Sequence, residues 1–306
     1  MLRQTAEILL GRLFLPLLTA LCLSGAAPPS VEKQPPPLES APGEAEPLAV
    51  TATAPVARRC PPEMVEIDRA YCIDRWEISL YEQGGERRVS PHYHPSRFLA
   101  LRDQREWENR RGQIGPWSAR QVPLPELPAW ETTRDFDIRA ESKPGVVPNA
   151  YLDLYSARRA CENAGKRLCG HGEWLKACRS ELNTRHPYGD RLVPGACNLN
   201  APQAPAPLLH GAAGLGHRDP RLNEIEYRGE RLLSLTGSHP ECRSAWGDDA
   251  VMDMVGGLDE WIDDDSGVFL GGFYARDTPH GCQARITVHR ADYYDYSLGA
   301  RCCESL

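Results

Sequence analysis

From residue 59 onward the apolar positions fall in short runs with two different periods. Met64-Val65-Glu66-Ile67 and Tyr71-Cys72-Ile73-Asp74-Arg75-Trp76-Glu77-Ile78 are β-rich runs separated by Asp68-Arg69-Ala70, and they predict the two strands of a hairpin. Further along, Leu154, Ala157, Cys161 and Ala164 recur at spacings of three and four, the signature of a helix with one apolar face. Asn149 or Asp153 supplies its cap and Gly165 ends it. A second helix starts near His171 and places Trp174, Ala177 and Cys178 on one face.

Residues 81–147 follow neither period. They are polar, basic in Arg102-Asp103-Gln104-Arg105 and Arg110-Arg111, and broken by prolines at Pro116 and over 123–128, which reads as a surface insertion. His92-Tyr93-His94 in this stretch would put two imidazoles on one face of an extended segment, half of a metal site. No third ligand is evident, and surface histidines between prolines are by default solvated. Over 187–249, Gly, Pro and Asp recur so often that the chain reads as a long irregular stretch, which needs disulfides or ions to stay ordered.

The N-terminus has a different character. Arg3 and Arg12 precede an apolar run over 13–23 and then Ser24-Gly25-Ala26-Ala27, the order of a secretory signal segment over 1–27. The run is shorter than a spanning helix, and no later stretch approaches about eighteen uninterrupted apolar residues. Cys22 offers an alternative, lipid attachment, which would tether the protein to a membrane. A lipoprotein signal carries a small residue before that cysteine, whereas Leu21 stands here, so cleavage near Ala26 or Ala27 fits better. Residues 28–58, rich in Pro, Ala and Glu, read as a disordered linker. The remainder, 59–306, is long enough for one sizeable core. A net charge of −7 and the lack of a basic cluster argue against nucleic acid as a partner. The expected location is exported: periplasmic, cell-surface or extracellular.

Of eleven cysteines, Cys22 lies in the signal segment, and the ten that remain are an even set, which in an exported chain favours full pairing. No pair has the Cys-x2-Cys spacing of a zinc site. Cys60 and Cys72 flank the predicted hairpin and are expected to pair; spacing alone does not fix the others.

Several segments follow one another in a recognisable order: Ala164-Gly165-Lys166-Arg167-Leu168, Glu173-Trp174, Tyr188-Gly189-Asp190, Asp253-Met254-Val255-Gly256, Glu260-Trp261, Gly271-Gly272 and Leu298-Gly299-Ala300-Arg301-Cys302. In this order the chain, over roughly 62–303, resembles the formylglycine-generating enzyme (sulfatase-modifying factor) domain. The resemblance implies an α+β fold, a modified C-type-lectin-like one: loop-rich and disulfide-stapled, with two helices and small antiparallel sheets. It also implies a Cys161–Cys302 disulfide. The adjacent Cys303 then offers a second bridge to Cys169, and Cys178–Cys282 with Cys197–Cys242 would complete the set.

Enzymes of that family oxidise a peptide cysteine to formylglycine with oxygen, using copper(I) held by two thiolates, the soft ligands this ion prefers. Here the matching segment runs from Gly271-Gly272-Phe273 to Cys282, and only Cys282 is a cysteine; the first thiol position falls at Ala275 or Arg276. The family's Gly-Asn-Val-Trp-Glu-Trp stretch appears as Gly256-Gly257-Leu258-Asp259-Glu260-Trp261, without the asparagine that helps bind calcium and without one tryptophan.

Cys282 with His280 two residues away is a candidate catalytic thiolate and its activator; the competing reading is a structural disulfide. Asn198, Asp253 and Glu260, with Asp248 and the 263–265 acidic run as further oxygen donors, are candidate calcium ligands, against the plain alternative of solvated acidic loops. Copper is not expected. The expected function is a non-catalytic module, a pseudoenzyme of this family that binds a peptide, a glycan or a surface protein. The alternatives are a divergent oxidoreductase with other metal ligands, such as His92, His94, His280 or His289, and an oxidase with relocated thiols.

Overall fold

A computed structural model of the chain describes residues 59–306. The signal segment, Cys22 and the linker all lie outside the described residues, which belong to a compact unit over Val56–Leu306.

The elements in chain order are β1 (Met64–Ile67), β2 (Tyr71–Asp74), β3 (Ile78–Glu82), α1 (Arg97–Arg110), α2 (Trp117–Arg120), α3 (Ala129–Thr133), β4 (Ile138–Ser142), α4 (Leu154–Asn163), β5 (Arg167–Leu168), α5 (His171–Cys178), α6 (Pro205–His210), β6 (Glu226–Tyr227), β7 (Glu230–Arg231), β8 (Arg243–Trp246), β9 (Asp249–Met252), β10 (Asp259–Trp261), β11 (Phe269–Leu270), β12 (Arg285–Ile286), β13 (Leu298–Ala300) and β14 (Cys302–Ser305). The architecture is mixed α and β and rich in irregular chain.

β1 and β2 form the expected antiparallel hairpin, but the second run does not continue to Ile78. It breaks at Arg75 and Trp76, where the backbone turns to other partners: Arg75 N–H donates to the Glu63 carbonyl, and Trp76 N–H donates to Ser142 Oγ. Ile78 therefore opens β3, which pairs with β4 instead. This pairing draws the ends of the 81–147 segment into the fold. Its two ends are strand, and β4 alternates buried Ile138, Ala140 and Ser142 with half-exposed Arg139 and Glu141, so its inner face joins the core. The middle of the segment folds back too: α1 buries Ala100, Asp103 and Trp107. His92 and His94 are buried rather than solvated.

α4 begins at Asp153, whose side chain accepts from Ser156 N–H while Ser156 Oγ accepts from Asp153 N–H, a reciprocal cap. Its chain leaves the helix through Gly165 at φ +75°, a conformation that disfavours side chains. α5 starts after Gly170, where Glu173 reaches back to the Gly170 N–H.

The C-terminal strand β14 lies between β2 and β5 in the sheet β1-β2-β14-β5. Successive side chains on a strand face opposite ways, so the neighbours Cys302 and Cys303 enter different cores. Cys302 packs with Leu154, Ala157 and Trp261 and is bonded to Cys161 of α4. Cys303 packs with Ile73, Trp174 and Val251 and is bonded to Cys169. The remaining disulfides are Cys60–Cys72, Cys178–Cys282 and Cys197–Cys242. Bonds of this number point to an oxidising, non-cytoplasmic environment. Among the described residues no helix is long and apolar enough to cross a membrane.

Candidate functional site

Three of the short sequence segments converge on one buried ionic cluster. Arg301, fully buried after β13, donates from Nε to Glu260 Oε2 at 2.7 Å and from Nη2 to Glu260 Oε1 at 2.7 Å. Its remaining N–H groups reach the carbonyls of Asp74 and Met252, both at 3.0 Å. Trp174 of α5 adds its indole N–H to Glu260 Oε2 at 2.6 Å. Burial works against the Arg301 charge, but the Glu260 carboxylate beside it more than offsets this and raises its pKa. A second acid faces the cluster: Glu77 Oε1 accepts from Leu258 N–H at 2.7 Å. Burial first, then Glu260 and Asp253, hold the Glu77 carboxyl well above the ordinary glutamate value. Glu260 and Arg301 are thus a structural lock that ties β10 to the C-terminal strands.

Next to this lock lies the segment over 271–282. Gly271 and Gly272 follow β11 at φ +96° and +76°, and a side chain on Gly272 would collide with Thr278. Gly272 N–H donates to Asp259 Oδ1 at 2.9 Å, and Arg276 Nη2 donates to the same oxygen at 2.7 Å. Asp259 Oδ2 is buried with no hydrogen-bond partner among the described residues. Burial pushes the Asp259 carboxyl up to about 7, with Asp295 adding to the rise and Arg276 opposing it. Arg276 remains partly open to solvent and lies over the Phe273 ring, 5.3 Å from its centre.

Cys282 Sγ is bonded to Cys178 at the end of α5, and neither sulfur is exposed. The candidate thiolate is therefore not a thiol in this fold, and His280, exposed two residues before it, has no thiol there to activate. A copper(I) site of the two-thiolate kind does not fit these residues: one candidate sulfur is oxidised, and the other position is Ala275 or Arg276.

The calcium candidates are only partly brought together. Asn198 and Asp253 share a cavity of about 10 Å³ with Glu77, Ser234 and His239, but Glu260 is not part of its lining. Both ends of the Asn198 amide are engaged, Oδ1 by Ser234 N–H at 3.0 Å and Nδ2 by the Leu232 carbonyl at 3.1 Å, and the Glu260 oxygens are held by Arg301 and Trp174. The three do not form one ligand set. Burial raises Asp253 to about 6, against the Gly237 N–H that it accepts. Of the other acids, Asp263 and Asp265 pair with Arg158, and Asp264 accepts from Ser266.

The histidines separate as well. His92 Nε2 faces Glu224 at 2.7 Å, His94 Nε2 faces Asp153 at 3.4 Å, and His289 stacks between Phe269 and Tyr293. Among the described residues no group of three His, Cys, Asp or Glu side chains is placed to hold a metal ion. A wider groove of about 730 Å³ opens elsewhere, between Trp76, the Arg139 to Lys143 stretch, Asn163 and Lys166.

Glu77 and the Asp259–Arg276 pair were not singled out as site residues by sequence. Opposite charges at Asp259 and Arg276 were visible in the sequence, but seventeen residues of separation gave no sign of their contact.

No family model matches the chain, and no curated protein matches it. Among solved structures it is similar to one titled "Crystal Structure of CarF", at 13% identity and a TM-score of 0.37, covering 77% of this chain and 86% of that one.

Proposed function

We propose that the chain is an exported, non-catalytic relative of the formylglycine-generating enzymes, built on their modified C-type-lectin-like fold and acting as a binding module. The observation that carries this reading is the Cys178–Cys282 disulfide, together with the Asp259–Arg276 pair. Cysteine oxidation by the copper route requires two thiolates on one metal with an open position. Here one sulfur is bound in a disulfide, and the other position carries either a methyl group or a guanidinium held by a buried acid.

The groove beside Trp76 supports the binding part of the reading. It offers an aromatic surface flanked by side chains already oriented by ion pairs, Lys166 with Asp74 at 2.6 Å and Arg139 and Lys143 with Glu141. A peptide, a glycan or a surface protein are the partner classes to be tested there.

The test is incubation of the purified, unreduced protein with copper(I), oxygen and a sulfatase-type peptide carrying the target cysteine. Mass spectrometry is expected to show the peptide cysteine unchanged. Conversion to formylglycine at many turnovers per protein overturns the reading and favours the oxidoreductase alternative.

A further inference from the structure

A second pocket, of about 500 Å³, sits on the irregular chain after α5. Its floor is the outward side of β8 and of the turn that precedes it. Along β8 and the residues before it, Cys242, Ser244 and Trp246 turn inward, the last two donating to the Ala177 carbonyl, so Glu241, Arg243 and Ala245 face the pocket. The walls are apolar: Leu182, Pro187, Tyr188, Val193 and Pro240.

These walls are held in place although they contain no regular secondary structure. Tyr188 stacks on buried His186 with ring centres 5.5 Å apart, its hydroxyl oxygen accepts from Val193 N–H at 3.3 Å, and His186 and Gly189 form a backbone bridge. Disulfides anchor the margins. Cys178 lies two residues before Ser180, Cys197 follows Ala196, and Cys242 sits between Glu241 and Arg243. A pocket fixed before binding loses less entropy when it is filled.

The floor carries one charge of each sign. Glu241 and Arg243 are exposed, and neither makes a hydrogen bond or ion pair among the described residues. Glu241 stands in the turn that the Cys242 N–H closes on the His239 carbonyl, Arg243 opens β8, and both line the pocket. A fatty acid would leave the carboxylate unmatched, an apolar amine would leave the guanidinium unmatched, and an apolar side chain within a peptide would meet neither. A ligand carrying both charges beside an apolar group matches the whole surface.

We propose that this pocket binds a free zwitterionic amino acid with a large apolar side chain. Its carboxylate lies on Arg243, its ammonium on Glu241, and its side chain between Tyr188, Val193 and Pro240. The site is independent of the oxidation chemistry, so the copper assay and the binding measurement succeed or fail separately.

Calorimetric titration of the whole protein with L-leucine and L-phenylalanine tests it. Saturable binding is expected with a Kd at or below about 1 mM. 4-Methylpentanoate, 3-methylbutylamine and N-acetyl-L-leucine amide are each expected to bind at least about tenfold more weakly, because each lacks one or both of the charge-assisted contacts. Glu241→Ala and Arg243→Ala, at exposed positions that leave the thermal transition in place, are expected to weaken leucine by a similar factor. Absence of saturable binding by both amino acids overturns the proposal. So does equal binding by the capped leucine, or unchanged leucine affinity in both variants.

Discussion

Arg276 and Asp259 meet at 2.7 Å across seventeen residues of chain, one partly open to solvent and the other buried. The guanidinium covers a carboxyl that has one oxygen without a partner among the described residues. Removing it by Arg276→Ala leaves a buried acid with less compensation, a change expected to cost about 1–3 kcal/mol. Combined with Asp259→Asn in a double-mutant cycle followed by urea unfolding, the two changes are expected to be less damaging together than their sum. Strict additivity would mean that the pair is not coupled.

The same carboxyl sets a pH dependence. Its pKa is raised in the folded protein to about 7 from an ordinary value of 3.8, so the folded form holds the proton more tightly than the unfolded chain. Stability from this group is fully present below about pH 4, declines as pH rises, and is lost above about 7, at a slope of at most about 1.4 kcal/mol per pH unit. Asp259→Asn is expected to flatten that part of the stability profile, read as melting temperature between pH 4 and 8. An unaltered slope would place the titration elsewhere.

Arg301 and Glu260 give a larger effect. Both are buried, and the pair is bidentate. Arg301→Met strands the Glu260 carboxylate in the core and is expected to cost about 3–5 kcal/mol. Arg301→Lys is expected to recover only part of this, because a single ammonium cannot span both carboxylate oxygens and the carbonyls of Asp74 and Met252. Denaturant midpoints of the two variants check the order.

The Cys161–Cys302 disulfide closes a separation of 141 residues and joins α4 to the C-terminal strand. Replacing both cysteines by alanine is expected to lower stability by about 2–5 kcal/mol. The far shorter Cys60–Cys72 loop, with a separation of 12, is expected to matter less, because a short loop restrains fewer unfolded conformations. Thermal melts of the two double variants give the ranking.

Much of the local structure was legible along the chain. The three-and-four spacing of Leu154, Ala157 and Cys161 located α4, with Asp153 rather than Asn149 as its cap, and the Trp174 face located α5. Residues 81–147 were not legible, for a physical reason. The inner face of α1 carries Asp103, which enters the interior because the Tyr294 hydroxyl, distant in sequence, donates to it at 2.8 Å. Hydrophobic periodicity has no means of registering a polar residue buried by a remote partner. β4 does alternate, but its inward residues include Ala140 and Ser142, too small to signal a core face. The candidate site was half legible in the same way. A structural disulfide was one of the two readings of Cys282, whereas the Asp259–Arg276 pair depends on the turn through Gly271 and Gly272.

The most direct test of the central claim is the state of Cys282. Peptide mapping of the protein digested without reduction, with free thiols alkylated first, is predicted to recover Cys282 in a disulfide-linked peptide with Cys178 and without alkylation. An alkylated Cys282, free in the purified protein, would restore a candidate thiolate and contradict the reading of this site as non-catalytic.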